Sequence, residues 1–399
     1  MDQKLLYLFD LLHYNVYIKL KRNFSEKLFS DARQNSKNLK RLSESTGINL
    51  RVLYLYKQGK RAIPIMKLHK IMSVLDSKRY AFFVRNLETN VKTIKFGKRG
   101  KYITNPKFPI KFSNELSRII AHVIGDGGIA NKHANFTVTY SNKSKELLDE
   151  FRKDVKLVFG NVEPIEFYNR EAECLEFFYP SIVGLILTRI IGVQNDKNKH
   201  FPEFMTMVSE NLRYNFLRSI FDDEGNINIE AYKINFEMAN YNVVSFVKSM
   251  LEDFSIETGS ITEINRSPNE SLRYKLSISG SQNLMKFYRL INFTSLEKKD
   301  RLKTLINFYR LARKEDSIID NAIIDLLNIR KLSFYELAVE LQKQGIGFFR
   351  ENLRRLINSG YVKFENCYAG KGIRRIYRLE REKAKDGFTK ISLISGPES

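Results

Sequence analysis

The stretch IIAHVIGDGGI, Ile119 to Ile129, is a run of helix-compatible apolar residues that stops abruptly at Gly-Asp-Gly-Gly. It puts a carboxylate, Asp126, at the end of an apolar helix and brackets it with glycines. That place is electrostatically awkward, because the helix macrodipole already gathers partial negative charge at the C-terminal end. The pattern recurs in LRYNFLRSIFDDEGNI, Leu212 to Ile227, where an apolar helix again ends in acid and then glycine. Laying Asp126-Gly127 over Glu224-Gly225, an offset of 98 residues, sets Ala121 on Ser219, Val123 on Phe221 and Ile119 on Leu217.

The flanks repeat as well. After the first motif come the strand-like NFTVTYSN, the helical KSKELLDEFRKDVKLVFG, a strand pair in VEPIEFYNREAECLEFFYP and the helix SIVGLILTRIIG. After the second come KINFEMANYN, VVSFVKSMLEDFSI, the strands SITEINR and LRYKLSISG, and the helix SQNLMKFYRLI. Alternation marks the strands and a 3.6-residue period the helices. The expected fold class is α+β, two tandem αββαββα repeats over residues 112–209 and 210–313.

This arrangement resembles the LAGLIDADG family of homing endonucleases, in its single-chain, two-motif form, from about Phe112 to Leu311. The resemblance implies two motif helices side by side on a pseudo-twofold axis, their small residues permitting close approach. It also implies a saddle of antiparallel strands that grips duplex DNA, with the helix-end acids in a shared cleft beneath it. The acids that would bind metal are then Asp126 and Glu224, with the backbone carbonyls of Gly125 and Asp223 as further ligands. The Asp222 and Asp223 side chains are expected to cap or support, and the glycine after each acid to let the chain leave the helix sharply. Two such carboxylates brought together repel and raise each other's pKa, a conflict that Mg²⁺ or Mn²⁺ removes. Mg²⁺ takes hard oxygen ligands, commonly one or two carboxylates with water and substrate phosphate, and paired metals stabilise both oxygens of an in-line displacement. The family also places a basic residue near each metal; Lys199 (or Lys197) and Lys298 (or Lys299) fill those places. His122 and Arg218 depart from the small or apolar pattern of the motif helices and are expected on their outer faces, while His133 and His200 are expected to be structural.

Bulk properties agree with a polyanion partner. The 399 residues carry a net charge of +22 with 43% hydrophobic residues, enough to build cores, and a folded basic chain usually meets nucleic acid or an acidic membrane. No run of about 18 uncharged apolar residues occurs, so no membrane partner is expected. Cys174 and Cys367 stand far apart, which excludes a disulfide framework or zinc cluster and points to a reducing, cytoplasmic, nucleoid-associated setting.

The charge is concentrated. Up to Lys111 there are 25 Lys and Arg against 7 Asp and Glu, or +18 of the total. Residues 1–90 read as a helical domain in which Gly47 ends one helix and Asn49 caps the next. The phrase YKQGKRAIPIMKLHKI resembles the tail of the repressor-like helix-turn-helix family. That resemblance implies Asn49, Leu50, Arg51 and Tyr54 facing DNA, with Lys57, Lys60 and Arg61 near phosphates. Residues 91–111, VKTIKFGKRGKYITNPKFPIK, read as a basic linker containing at most one strand.

The strands of both repeats alternate, so one face can pack on helices while the other meets base edges; Asn135, Asn169, Arg170, Asn228, Arg266 and Arg273 are the candidate readers. Residues 314–382 have the layout of a winged helix, three short helices and a β-hairpin. Arg350, Arg354 and Arg355 fall on its third helix, and Lys371, Arg374 and Arg375 in the wing. Residues 383–399 read as a tail. The expected activity is site-specific cleavage of double-stranded DNA by a monomer. The alternatives are a DNA-binding transcriptional regulator that keeps the fold without cleavage, and an RNA-splicing maturase. Protein splicing is not expected of a chain that starts Met1-Asp2 and ends Gly-Pro-Glu-Ser, without the nucleophile and His-Asn pair that it needs.

Overall fold

The computed structural model describes residues 4–132, 135–192, 201–265, 272–312, 314–369 and 372–380. They form two compact units, one running to Glu224 and including Asn240–Met250, the other Gly225–Ala239 and the described residues from Leu251 onward.

The first unit opens with β1 (Lys4–Leu6), β2 (Val16–Leu20), α1 (Arg22–Asn35), α2 (Leu39–Thr46) and α3 (Leu50–Lys57). Then follow β3 (Ile63–Pro64), α4 (Ile65–Met72), α5 (Ser77–Leu87), β4 (Val91–Phe96), β5 (Ile103–Thr104) and β6 (Ile110–Lys111). Gly47 ends α2 in the left-handed region at φ 66°, and the Asn49 side chain caps α3 by accepting from the Arg51 amide at 2.9 Å. The segment expected as a linker is structural: β4 lies between β2 and β5 in an antiparallel sheet of order β3-β2-β4-β5, and β6 pairs with β1.

The first repeat continues with α6 (Asn114–Ile124), β7 (Gly127–Lys132), β8 (Asn135–Asn142), α7 (Lys145–Phe159), β9 (Ile165–Asn169), β10 (Cys174–Tyr179) and α8 (Ser181–Ile191). Its sheet has the order β7-β8-β10-β9. Val138 and Tyr140 of β8 and Phe177 and Tyr179 of β10 are buried, which fixes the core face of the sheet. Gly184 sits in mid-helix at a cost in propensity because α8 lies against the β8 backbone: an added Cβ would come 1.8 Å from the Phe136 carbonyl oxygen. The unit's described part then gains α9 (Glu210–Glu224).

The second repeat supplies β11 (Gly225–Asn228), β12 (Lys233–Met238), α10 (Tyr241–Asp253, whose larger part belongs to the first unit), β13 (Thr262–Ile264), β14 (Arg273–Ser279) and α11 (Ser281–Leu290). Its sheet order, β11-β12-β14-β13, reproduces that of the first repeat. Each repeat therefore runs αββαββα through an antiparallel sheet of matching strand order. In β12 and β14, Ile234, Phe236, Leu276 and Ile278 point to the core, while Lys233, Asn235, Lys275 and Ser277 share the other face. The second unit ends with α12 (Leu296–Arg310), α13 (Asp316–Ile329), β15 (Leu332–Ser333), α14 (Phe334–Lys343), α15 (Arg350–Asn358), β16 (Val362–Ala369) and β17 (Gly372–Leu379), with sheet order β15-β17-β16.

Candidate functional site

Helices α6 and α9 pack along each other within the first unit. Small residues make this approach possible: Ser117, Ala121 and Ser219 are wholly buried. Ser117 Oγ donates to the Leu212 carbonyl at 2.6 Å, and the Arg118 guanidinium donates to Asn215 Oδ1 at 2.9 Å. Arg118 also holds the buried Asp154 of α7 through two hydrogen bonds of 2.7 Å. Burial raises the Asp154 pKa, against the pull of Arg118.

At the C-terminal end of the pair the two acidic stretches meet. Asp126 is exposed, and its Oδ2 accepts from Asn142 Nδ2 at 3.1 Å. Glu224, the last residue of α9, is half-buried. Asp223 differs from Asp126 and Glu224 in burial. Its side chain is entirely buried and faces α6, where Oδ2 accepts from His122 Nδ1 at 3.0 Å and from the Asp126 amide at 3.4 Å. Its Oδ1 accepts from the Tyr140 hydroxyl at 3.0 Å.

His122 is wholly buried, and not on the outer face that its polarity suggested; the buried carboxylate of Asp223 supplies its partner. Arg218 is half-exposed. Burial works against a charged His122 imidazole, yet the Asp223 charge and hydrogen bond outweigh it, so the His122 pKa is raised above its ordinary 6.5. Tyr140 is held well above the ordinary phenol range, by burial first and by Asp223 second.

Gly127, expected to let the chain leave the helix sharply, and Gly125, which precedes the acid, both stand where the chain is crowded. Neither Gly125 nor Gly127 adopts a positive φ. A Cβ at Gly125 would lie 2.5 Å from Asp223 Oδ2, and one at Gly127 would lie 2.7 Å from the His122 carbonyl oxygen and 2.8 Å from that of Thr139. Close approach is the requirement here.

Among the described residues no group of three or more His, Cys, Asp or Glu is placed to hold a metal ion. A metal here would have two carboxylates to draw on, those of Asp126 and Glu224 where the packed helices end. That fits a hard cation which keeps its waters and takes substrate phosphate as a ligand, and does not fit a closed all-protein cage. Lys298 lies on α12 with its Nζ 6.0 Å from the Phe293 ring centroid. Lys199, Lys197, His133, His200, Arg266 and Lys371 lie outside the described residues, as does the Asn135 side chain.

The candidate nucleic-acid residues fall into two groups. Arg51, Tyr54, Lys60 and Arg61 are exposed on and after α3, Asn49 is exposed as its cap, and Lys57 is half-exposed. Arg170 is exposed in the turn between β9 and β10. By contrast Asn169 and Asn228 use their Oδ1 to accept backbone amides, those of Ala172 at 3.1 Å and Ala231 at 2.9 Å, and so cap turns. Arg273 donates to the Glu237 carbonyl and Arg350 to the Glu230 carbonyl, each at 3.0 Å. Arg354 pairs with Glu351 on its own helix, and Arg355 pairs with Asp316 and Asp320. Arg118, Tyr140 and Asn142 did not stand out in the sequence; the His122–Asp223 contact left a trace, a histidine inside an apolar helix and three consecutive acids at its counterpart.

Residues 211–292 match the LAGLIDADG-like domain. They contain most of α9, its acidic end and the whole second sheet. Curated relatives come from Methanocaldococcus jannaschii. The glutamine–fructose-6-phosphate aminotransferase (isomerizing) is 27% identical over 303 residues, which is 70% of this chain and 27% of that protein. The DNA-directed RNA polymerase subunit Rpo1N is 23% identical over 60% of this chain and 20% of its own length. The replication factor C small subunit is 26% identical over 58% of this chain and 12% of its own. The chain thus spans about a quarter or less of the length of these relatives. Among solved structures, the homing endonuclease I-DmoI in complex with DNA and Mn aligns at 14% identity over 45% of this chain and 96% of that one, with a TM-score of 0.33. Full-length DUF199/WhiA from Thermatoga maritima aligns at 16% identity over 62% of this chain and 92% of that one, with a TM-score of 0.35.

Proposed function

We propose that this chain is a monomeric, site-specific endonuclease that hydrolyses phosphodiesters of double-stranded DNA in a reducing cytoplasm. The observation that carries this reading is the convergence of two acid-ended motif helices. Asp126 and the residue next to Glu224 are in hydrogen-bond contact where α6 and α9 end. Mg²⁺ or Mn²⁺ would be held by Asp126 and Glu224, with the carbonyls of Gly125 and Asp223 nearby in sequence. Bound there, the metal would supply Lewis-acid stabilisation of the attacking and leaving oxygens. Asn142 fixes the Asp126 carboxylate in direction, and the buried base of α6 and α9 keeps both acids from drifting apart. Lys199 and Lys298 are the candidates to stabilise phosphate charge. The exposed basic and aromatic set on α3 is suited to a DNA backbone and groove, and the polar faces of the two sheets are suited to base edges.

The curated relatives favour this reading over a regulator. They carry unrelated names, and each shares only a minor part of its length with this chain. They match over 58–70% of this chain but only 12–27% of their own length, as a self-propagating DNA-cutting element carried in unrelated proteins would. A regulator is favoured by one feature, the flanking helical regions that bear Arg51, Lys60 and Arg61 at one end and Arg354 at the other. The RNA-splicing reading rests on charge alone.

The test is cleavage of a randomised duplex DNA library by the purified chain with Mg²⁺. Rare-site cutting is expected, abolished by Asp126→Asn or Glu224→Gln while DNA affinity stays within about twofold. Cutting by both variants at the unaltered rate would overturn the assignment of the acids, and tight sequence-specific binding without cutting under any divalent metal would make the protein a regulator.

A further inference from the structure

We infer that Asp223 is a positioning residue: its buried carboxylate, clamped by His122 and Tyr140, anchors the backbone amide of Asp126 and so fixes the exposed acid. This rests on the reading of Asp126 as a metal-binding group, and it assigns a task to the acid that the duplicated motif does not account for. The counterpart of Asp223 in the first repeat is Gly125, which has no side chain, so the device exists on one side only.

The geometry is specific. Asp223 reaches across the helix pair into the space that Gly125 leaves empty, to within 2.5 Å of where a Cβ would be. It takes donors on both oxygens: Tyr140 O–H at 3.0 Å on Oδ1, and His122 Nδ1 at 3.0 Å with the Asp126 amide at 3.4 Å on Oδ2. Tyr140 is further tied to Asn142 Nδ2 at 3.4 Å, and the same Nδ2 donates to Asp126 Oδ2 at 3.1 Å. The backbone and the side chain of Asp126 are therefore both held by one connected set of groups. A carboxylate suits this place because every partner is a donor, and it accepts on both sides. An asparagine offers one acceptor oxygen in place of two charged ones: with Oδ1 toward His122 and Asp126 the Tyr140 hydroxyl loses its acceptor and must receive an N–H instead, and with the ends exchanged an N–H faces the Asp126 N–H. Groups of this kind, which orient a ligand without touching the metal, typically change metal affinity or activity by about 10–100-fold when replaced.

The experiment uses the full chain and two readouts. The amide proton of Asp126 is followed by transverse-relaxation-optimised NMR, and Mn²⁺ affinity by the paramagnetic resonance of free Mn²⁺ in the presence of a short random-sequence duplex. Asp223→Asn is expected to shift the Asp126 amide upfield and weaken Mn²⁺ binding by about 10–100-fold, with Tyr140→Phe giving a smaller change of the same sign. An unmoved amide, or a moved amide with unchanged Mn²⁺ affinity, would overturn the inference while leaving the nuclease reading intact. Wild type binding Mn²⁺ no more tightly than Asp126→Asn would overturn both. If Asp223→Asn does not fold, Tyr140→Phe decides on the same two readouts.

Discussion

Gly125 and Asp223 occupy one another's space: a Cβ on the glycine would lie 2.5 Å from Oδ2 and 2.7 Å from Cβ of the aspartate. The glycine is therefore demanded by its neighbour across the helix pair. Gly125→Ala should expel the Asp223 carboxylate from its donors. Overpacking of this kind costs about 1–3 kcal/mol, to be read from urea unfolding. Asp223→Gly, which removes both the Oδ2 and the Cβ contact, should relieve the clash, so the double variant is expected to be less destabilised than the sum of the single ones. Simple additivity would mean that the two residues are not in contact.

Arg118 is the other fastener of this helix pair. Its partner Asp154 has a side chain only 1% exposed and is held by two 2.7 Å hydrogen bonds. Removing one member of such a pair strands a buried charge, at about 3–5 kcal/mol. Arg118→Ala is expected to destabilise by that amount, whereas joint replacement by apolar residues, Arg118→Met with Asp154→Leu, should recover most of the loss. Denaturant midpoints for the two variants decide it.

The duplication explains why so much of the repeat architecture could be read from sequence. Each weak strand or helix signal occurs twice at matching places, and the observed αββαββα order with its matching strand orders follows. Side-chain direction was less accessible. His122 reads as a polar intruder in an apolar helix because its partner, Asp223, lies 101 residues away in the chain. The β4 strand was hidden by its lysines. Lys95 is nonetheless buried: its ammonium donates to the Lys98 carbonyl and sits 4.6 Å from the Tyr102 ring centroid, so that a charged residue occupies an inward position. Asn169 and Asn228 looked like base readers because alternation places them on open faces, yet turn formation engages their side-chain oxygens.

The exposed cations after α3 give a prediction about ionic strength. Every phosphate that a protein cation neutralises adds about 0.9 to the steepness with which log affinity for duplex DNA falls against log salt. Lys60→Gln with Arg61→Gln, both exposed, should weaken binding to random-sequence duplex and reduce that steepness by about 2. Arg51→Ala and Tyr54→Ala should instead act on sequence preference, since they stand on the helix itself. Fluorescence anisotropy across a salt series separates the two effects; an unchanged slope in the double variant would remove this surface from the DNA interface.

A carboxylate of the second unit contributes to that unit's acid sensitivity. Ser333 and Glu336 form a capping box at the start of α14: the Ser333 amide donates to Glu336 Oε2 at 2.8 Å, and the Glu336 amide to Ser333 Oγ at 3.3 Å. The Ser333 hydroxyl, which also donates to that carboxylate, and then the Ser333 amide lower the Glu336 pKa below its ordinary 4.5. A carboxylate whose pKa falls on folding binds its proton more readily in the unfolded chain. Its contribution is therefore complete above pH 4.5 and is lost as pH drops through the lower, folded value. Glu336→Gln should leave a flatter stability profile below pH 4.5 than wild type has, measured by urea unfolding at a series of pH values. Ser333→Ala, which removes the cap itself, should cost about 1 kcal/mol near neutral pH and flatten the same acid limb. An acid limb of unaltered steepness in Glu336→Gln would show that protonation of this cap does not govern it.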